Sequence, residues 1–159
     1  MSSQNHPLVT GVDGLLSAPG DPPWERLIEL LLRHFDCPVG TVHLLDGKDG
    51  LLHLAAQRGV PTVLLDKVAT IPVGKGMAGI AAERRQPVQV CNLQTDTSGV
   101  VRPDAKLTRM EGSLAAPMLD GDRLFGVLGV AKPVAYDFTL AETQLLLDVG
   151  SRIARHLAR

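Results

Sequence analysis

Aromatic side chains are nearly missing from this sequence: three Phe, one Trp and one Tyr, 3% of 159 residues. Base-stacking platforms need such rings, so single-strand nucleic-acid binding is disfavoured, and Leu, Val and Ala must fill the core. Cysteine is as sparse. Cys37 and Cys91 are too few for a disulfide scaffold and lack CxxC spacing, which points to a reducing, cytoplasmic compartment. Charge of one sign is not in surplus either. The net charge of −1 supplies no basic excess to neutralise phosphates. No apolar run reaches the roughly 18 residues of a membrane span, and residues 1–20 lack the basic-then-apolar order of a signal peptide. Nucleic acid and membrane are therefore not expected as partners.

What is present is a 45% hydrophobic fraction over the length of one domain, enough to bury a core. Residues 1–20 carry Pro7, Gly11, Gly14, Pro19 and Gly20 without a sustained period and read as a flexible N-terminal arm. The domain then runs over 21–159. Leu27, Leu30, Leu31 and His34 fall at helical spacing, and Cys37-Pro38 ends that helix. VGTVHLLD (39–46) and GLLHLAAQR (50–58) around a Gly/Asp-rich turn predict a hairpin. A short helix over 75–85, a strand over 87–93 and a polar loop over 94–110 with a helical stretch from Asp104 to Met110 follow. GSLAAPML (112–119) and RLFGVLGVAKP (123–133) predict a second hairpin. A helix from Leu140 to Leu157 opens on Thr139 with Glu142 three residues on, the capping-box spacing. This order predicts an α+β fold with an antiparallel sheet flanked by terminal helices.

Symmetric turns centred on Lys48 and Gly121 pair Leu45 with Leu51, His43 with His53, Thr41 with Ala55, Pro117 with Phe125, Ala115 with Val127 and Ser113 with Gly129. Side chains alternate faces along a strand. The even-numbered face (Val42, Leu44, Leu52, Leu54, Leu114, Ala116, Met118, Leu124, Leu128, Val130) is almost wholly apolar and is expected against the terminal helices. The odd face, with Thr41, His43, His53, Ser113, Ala115 and Gly129, is smaller and more polar. It is either a half-solvated sheet face or the wall of a cavity under the long loop.

Four blocks in order, TVHLLDGKDGLLHLAAQRG (41–59), VGKGMAGIAAERRQPVQVCNL (73–93), GSLAAPMLDGDRLFGVLGVAKP (112–133) and FTLAETQLLLDVGSRIA (138–154), resemble a GAF domain. The resemblance spans roughly Trp24 to Arg159. It implies a five- or six-stranded antiparallel sheet, terminal helices on one face and a ligand pocket on the other. It also implies a regulatory small-molecule sensor in signal transduction rather than an enzyme. Ligands across the family range from cyclic nucleotides, bilins and haem to metals and small metabolites, and some members bind nothing and act as dimerising spacers. The Asn-Lys-Phe-Asp-Glu set of cyclic-nucleotide binders is missing here, and neither cysteine stands beside a His as covalent bilin attachment requires. No cofactor is assigned. One branch, the free methionine sulfoxide reductases, uses cysteines in the Gly-rich block and the following loop. Those places hold Ala78 and no Cys between Asn92 and Met110. A reductase-like enzyme and a ligand-free dimerisation module are the alternative functions.

The candidate ligand site is Thr41, His43, His53 and Ser113 on the odd face, with Arg102 and Arg109 in the lid loop as clamps for an anion. The two histidines, as cross-strand neighbours, could hold a metal with Cys91 or Asp96, bind an anion when protonated, or simply be half-buried. Cys91 is expected as a small buried residue. GKGMAG (74–79) lacks the ending of a P-loop, and its glycines are expected to start a helix tightly. Leu146, Gly150, Ile153 and Leu157 form one stripe on the last helix, which implies a homodimer through the terminal helices unless the first helix covers it.

Overall fold

A computed structural model describes residues 6–159. The first helix, α1 (Pro7–Leu16), occupies the segment expected as an arm. Residues 1–5 of that expected arm lie outside the described residues. Pro7 takes the first helical position, where its missing N–H costs nothing, and His6 caps the end by accepting from the Leu8 amide at 3.0 Å. Leu8, Val9, Val12 and Leu16 are buried. Gly11, which reads as a loop residue, lies against α2 (Trp24–Phe35): a Cβ there would meet Leu30 at 3.0 Å. The glycine therefore sets a close helix approach rather than a flexible hinge.

Six strands follow: β1 (Val39–Leu45), β2 (Leu51–Arg58), β3 (Thr70–Pro72), β4 (Val88–Val90), β5 (Ser113–Asp120) and β6 (Arg123–Ala131). They form one antiparallel sheet in the order β3-β2-β1-β6-β5-β4. Short helices α3 (Leu65–Val68) and α4 (Gly76–Arg84) precede and follow β3, and α5 (Leu140–Leu157) closes the chain. The Thr139–Glu142 capping box forms in full. Helices α1, α2 and α5 cover one face, burying Val42, Leu114, Ala116, Met118, Leu128 and Val130 as the parity argument expects. The α5 stripe goes to the same core. Leu146 and Ile153 are buried, and Gly150 sits so close to β5 that a Cβ would meet the Pro117 carbonyl at 2.9 Å. With α1 packed on α5, the stripe that implied a partner helix is covered within the chain.

Lys132 crosses behind this face. Its ammonium donates to the Phe35 and Asp36 carbonyls at 2.5 and 3.2 Å, closing the C-terminal end of α2, and lies 4.7 Å from the Tyr136 ring centre. Two of the five aromatic rings thus surround one buried cation.

Both hairpins depart from the symmetric pairing. In β1–β2, Val42 pairs with Ala56 but His43 with Leu54, so Ala55 is an extra residue, a β-bulge. It reverses the facing of everything from Leu51 to Leu54. Leu52, expected against the helices, joins the opposite core, and His53 pairs with Leu44, on the helix side. In β5–β6, Met118 pairs with Gly126 but Leu119 with Leu124, which makes Phe125 the bulged residue. Leu124 accordingly turns away from the helices and Phe125 toward them, the reverse of the expected sides. Elsewhere in that hairpin the pairing is offset by two residues (Ser113 with Ala131, Ala115 with Gly129, Pro117 with Val127), which preserves the faces.

Candidate functional site

The centre of the second face is a cross-strand row of small residues. Thr41 on β1 pairs with Gly129 on β6, which pairs with Ala115 on β5. This row floors a cavity of about 190 Å³ with a predominantly apolar lining. A Cβ on Gly129 would stand 2.9 Å from the Thr41 hydroxyl, so the floor is as low as it is because that side chain is missing. Leu64, Val68 and Ile71 wall one side, Met77 and Ala78 at the start of α4 another, and the 101–110 segment covers the top. Its 3₁₀ turn, Pro103–Thr108, is tied down by Gln94, whose side-chain amide donates to the Lys106 and Met110 carbonyls at 3.1 and 2.8 Å. Across the mouth, Lys67 pairs with Asp104 at 3.1 Å.

Of the expected site residues, Thr41, His43, Ser113 and Arg102 line this cavity. His53 and Arg109 do not. The bulge at Ala55 puts His53 on the other face, where its Nε2 lies 2.7 Å from Asp49 and 4.0 Å from Asp46. Arg109 takes a left-handed turn (φ 60°) after the 3₁₀ segment and is exposed. The two histidines are therefore not neighbours, and the metal and paired-imidazolium readings of them are set aside. Asp46, Asp49 and His53 bring ligand atoms within 4.8 Å of one another in the exposed β1–β2 turn. There Asp46 and Asp49 also accept from the Lys48 and Leu51 amides, so the group has a turn-forming role. Lys67, Lys75 and Met110 escaped the sequence reading. Lys75 stood in the GKGMAG block and could have been found there; the other two reach the cavity only through the fold.

His43 is 1% exposed. Its Nε2 stands 2.8 Å from the Val68 carbonyl, and since a carbonyl only accepts, Nε2 carries the proton. Burial pushes the imidazole below its ordinary pKa, against the Val68 bond, and keeps it neutral. Nδ1 is then a bare acceptor, buried and without a partner. Leaving such an atom unpaired costs roughly 1–3 kcal/mol.

The thiols are poor nucleophiles. Burial pushes Cys37 up to about 11. Cys91, expected buried, is exposed at the end of β4, and partial desolvation together with the Asp137 carboxylate raises its pKa as well.

The family model for the GAF domain matches residues 25–158, and the chain belongs to that family of sensory and regulatory modules. The fold recurs in solved structures. The GAF domain of a phosphoenolpyruvate-protein phosphotransferase from Coxiella burnetii is 18% identical, with a TM-score of 0.77 over 95% of this chain and 90% of that one. Free methionine-R-sulfoxide reductase from Neisseria meningitidis, solved with its substrate, is 17% identical at a TM-score of 0.76 over 95% and 86%. The nlh2 GAF domain of A. aeolicus, in an inactive state, is 17% identical at 0.74 over 95% and 93%. At these identities the likeness is one of fold. Comparison with curated protein sequences finds no significant match. Among the described residues no helix is long and apolar enough to cross a membrane.

Proposed function

We propose that this GAF domain is a regulatory sensor that binds a small molecule in the cavity over Thr41, Gly129 and Ala115, and that it is not an enzyme. The observation that carries the reading is the cavity of about 190 Å³, predominantly apolar in its lining, whose floor is kept low by the missing side chain of Gly129. A guest that takes this apolar surface out of water stabilises the folded state. The non-enzymatic reading rests on Ala78, on the lack of Cys from 92 to 110 and on the raised thiol pKa values. Native mass spectrometry of freshly purified protein tests it. A low-mass adduct that disappears on denaturation and in Gly129→Val is expected. Thiol-dependent turnover of free methionine sulfoxide would overturn the reading.

Transmission of the bound state to a second copy of the chain belongs to the same proposal. Leu146, Gly150 and Ile153 are used inside the fold, so a dimer would pair the solvent-facing sides of the terminal helices. Light scattering at micromolar concentration checks this, and a monomer mass would exclude it.

A further inference from the structure

The cavity is chemically polarised from floor to mouth. Its interior is apolar: Leu64, Ile71, Met77 and Ala115 line it, and the buried His43 beside them turns no ring nitrogen to the open space, since Nε2 is held at the Val68 carbonyl and Nδ1 is closed off. Three cations and one carboxylate stand at the mouth, namely Lys67, Lys75, Arg102 and Asp104. Asp104 is already engaged by Lys67 at 3.1 Å. Lys75 and Arg102 have no carboxylate within ion-pair distance among the described residues. The two lie together: Gly76 follows Lys75, and a Cβ on Gly76 would meet the Arg102 side chain at 3.0 Å, so the arginine stem crosses the start of α4 where glycine leaves room. That helix start has no side-chain cap, and its first amides add positive potential at the same place.

Size restricts the guest further. A cavity of about 190 Å³ is somewhat larger than the roughly 150 Å³ void that holds benzene. It accommodates on the order of ten non-hydrogen atoms, which is small for a nucleotide and suited to a compact organic acid.

We infer that the ligand is a small organic carboxylate with an apolar body, its anionic group at the mouth with Lys75 and Arg102 and its body over the apolar floor. This rests on the sensor reading and adds to it the class of molecule sensed. Such a guest meets the mouth cations and fills the apolar interior at once, whereas a neutral apolar guest leaves the cations unused.

The test is a panel of organic acids of about eight to twelve non-hydrogen atoms, measured beside their methyl esters by calorimetry at low ionic strength. Acids are expected to bind at least about tenfold more tightly than esters, the scale of one charge-assisted contact. That gap should shrink to about threefold or less in the Lys75→Gln/Arg102→Gln double variant, whose positions are both exposed. In the unaltered protein, bound acid should shift the His43 Nδ1 resonance, a readout that needs no substitution in the wall. Esters binding as tightly as acids would overturn the anion assignment and leave the sensor reading standing. An unmoved Nδ1 resonance with acid bound would place the acid outside the cavity and overturn the inference. If neither acids nor esters bind at millimolar concentration, the sensor reading falls together with the inference.

Discussion

The two faces of the sheet are made by the same strands and solve opposite problems. Toward α1, α2 and α5, the strands present Leu114, Met118, Leu128 and Val130, and the helices return Leu27, Leu31, Leu146 and Ile153, all of them buried. Toward α4 and the 94–110 loop, the alternate residues are Thr41, Gly129 and Ala115, and the space they leave is not refilled. The larger buried cluster therefore lies on one face, and a smaller one shares the other with the cavity. A substitution under the helices should report chiefly on stability, and one on the cavity floor chiefly on ligand contact.

The largest effect belongs to the closed face. Leu146→Ala opens a void under α5 and should cost roughly 2–5 kcal/mol, read as a lower denaturant midpoint with an unchanged slope. Next comes Lys132→Met, which keeps the bulk but takes the ammonium donor from the Phe35 and Asp36 carbonyls, leaving the first only the weak Cys37 thiol; a loss of roughly 1–3 kcal/mol is expected, with cavity binding unaffected. A smaller effect comes from acid. Burial first, and His6 second, lower the His34 pKa, while burial alone lowers that of His43, whose charged neighbours around the cavity are Lys67, Lys75, Arg102 and Asp104. Below the unfolded value of 6.5 the unfolded chain binds protons that the folded one refuses. Stability is thus fully present above that pH and declines as pH falls toward the lowered folded values. A thermal midpoint that held steady from pH 7.5 down to about 5.5 would contradict this, and His43→Gln should flatten the decline. The smallest effect on stability, within about 1 kcal/mol, is expected for Gly129→Val. The same change should abolish the adduct seen by native mass spectrometry, and it is the sharpest separation of the two faces.

The sequence carried those features whose causes are local. The Thr139–Glu142 box and the apolar spacing up to Leu157 delimit α5 without help from the rest of the chain. The parity of Thr41, Ala115 and Ser113 follows from strand geometry alone, and with it most of the cavity floor. Features set by distant partners were not legible. Gly11 and Gly14 look like loop residues until Leu30 is seen against the first of them. Lys67 reaches the mouth only because the fold brings α3 opposite Asp104, and β3 is three residues whose pairing comes from Leu51–His53. His53 was misplaced for a different reason. A symmetric turn is the natural assumption for a hairpin, and Ala55 carries no mark that it is bulged.

That bulge also bears on how this chain is to be aligned with its relatives. Ala55 has no partner on β1, so a relative lacking that residue could keep every pairing from Gly40–Arg58 to Leu45–Leu52 as a regular ladder. Length differences at this point belong inside a strand, where gaps are ordinarily forbidden. An alignment that confines its gaps to loops would shift Leu51 to Leu54 by one step against such a relative and set residues of one sheet face opposite residues of the other. A gap placed opposite Ala55 keeps Leu52 and Leu54 in line with residues of the cavity face.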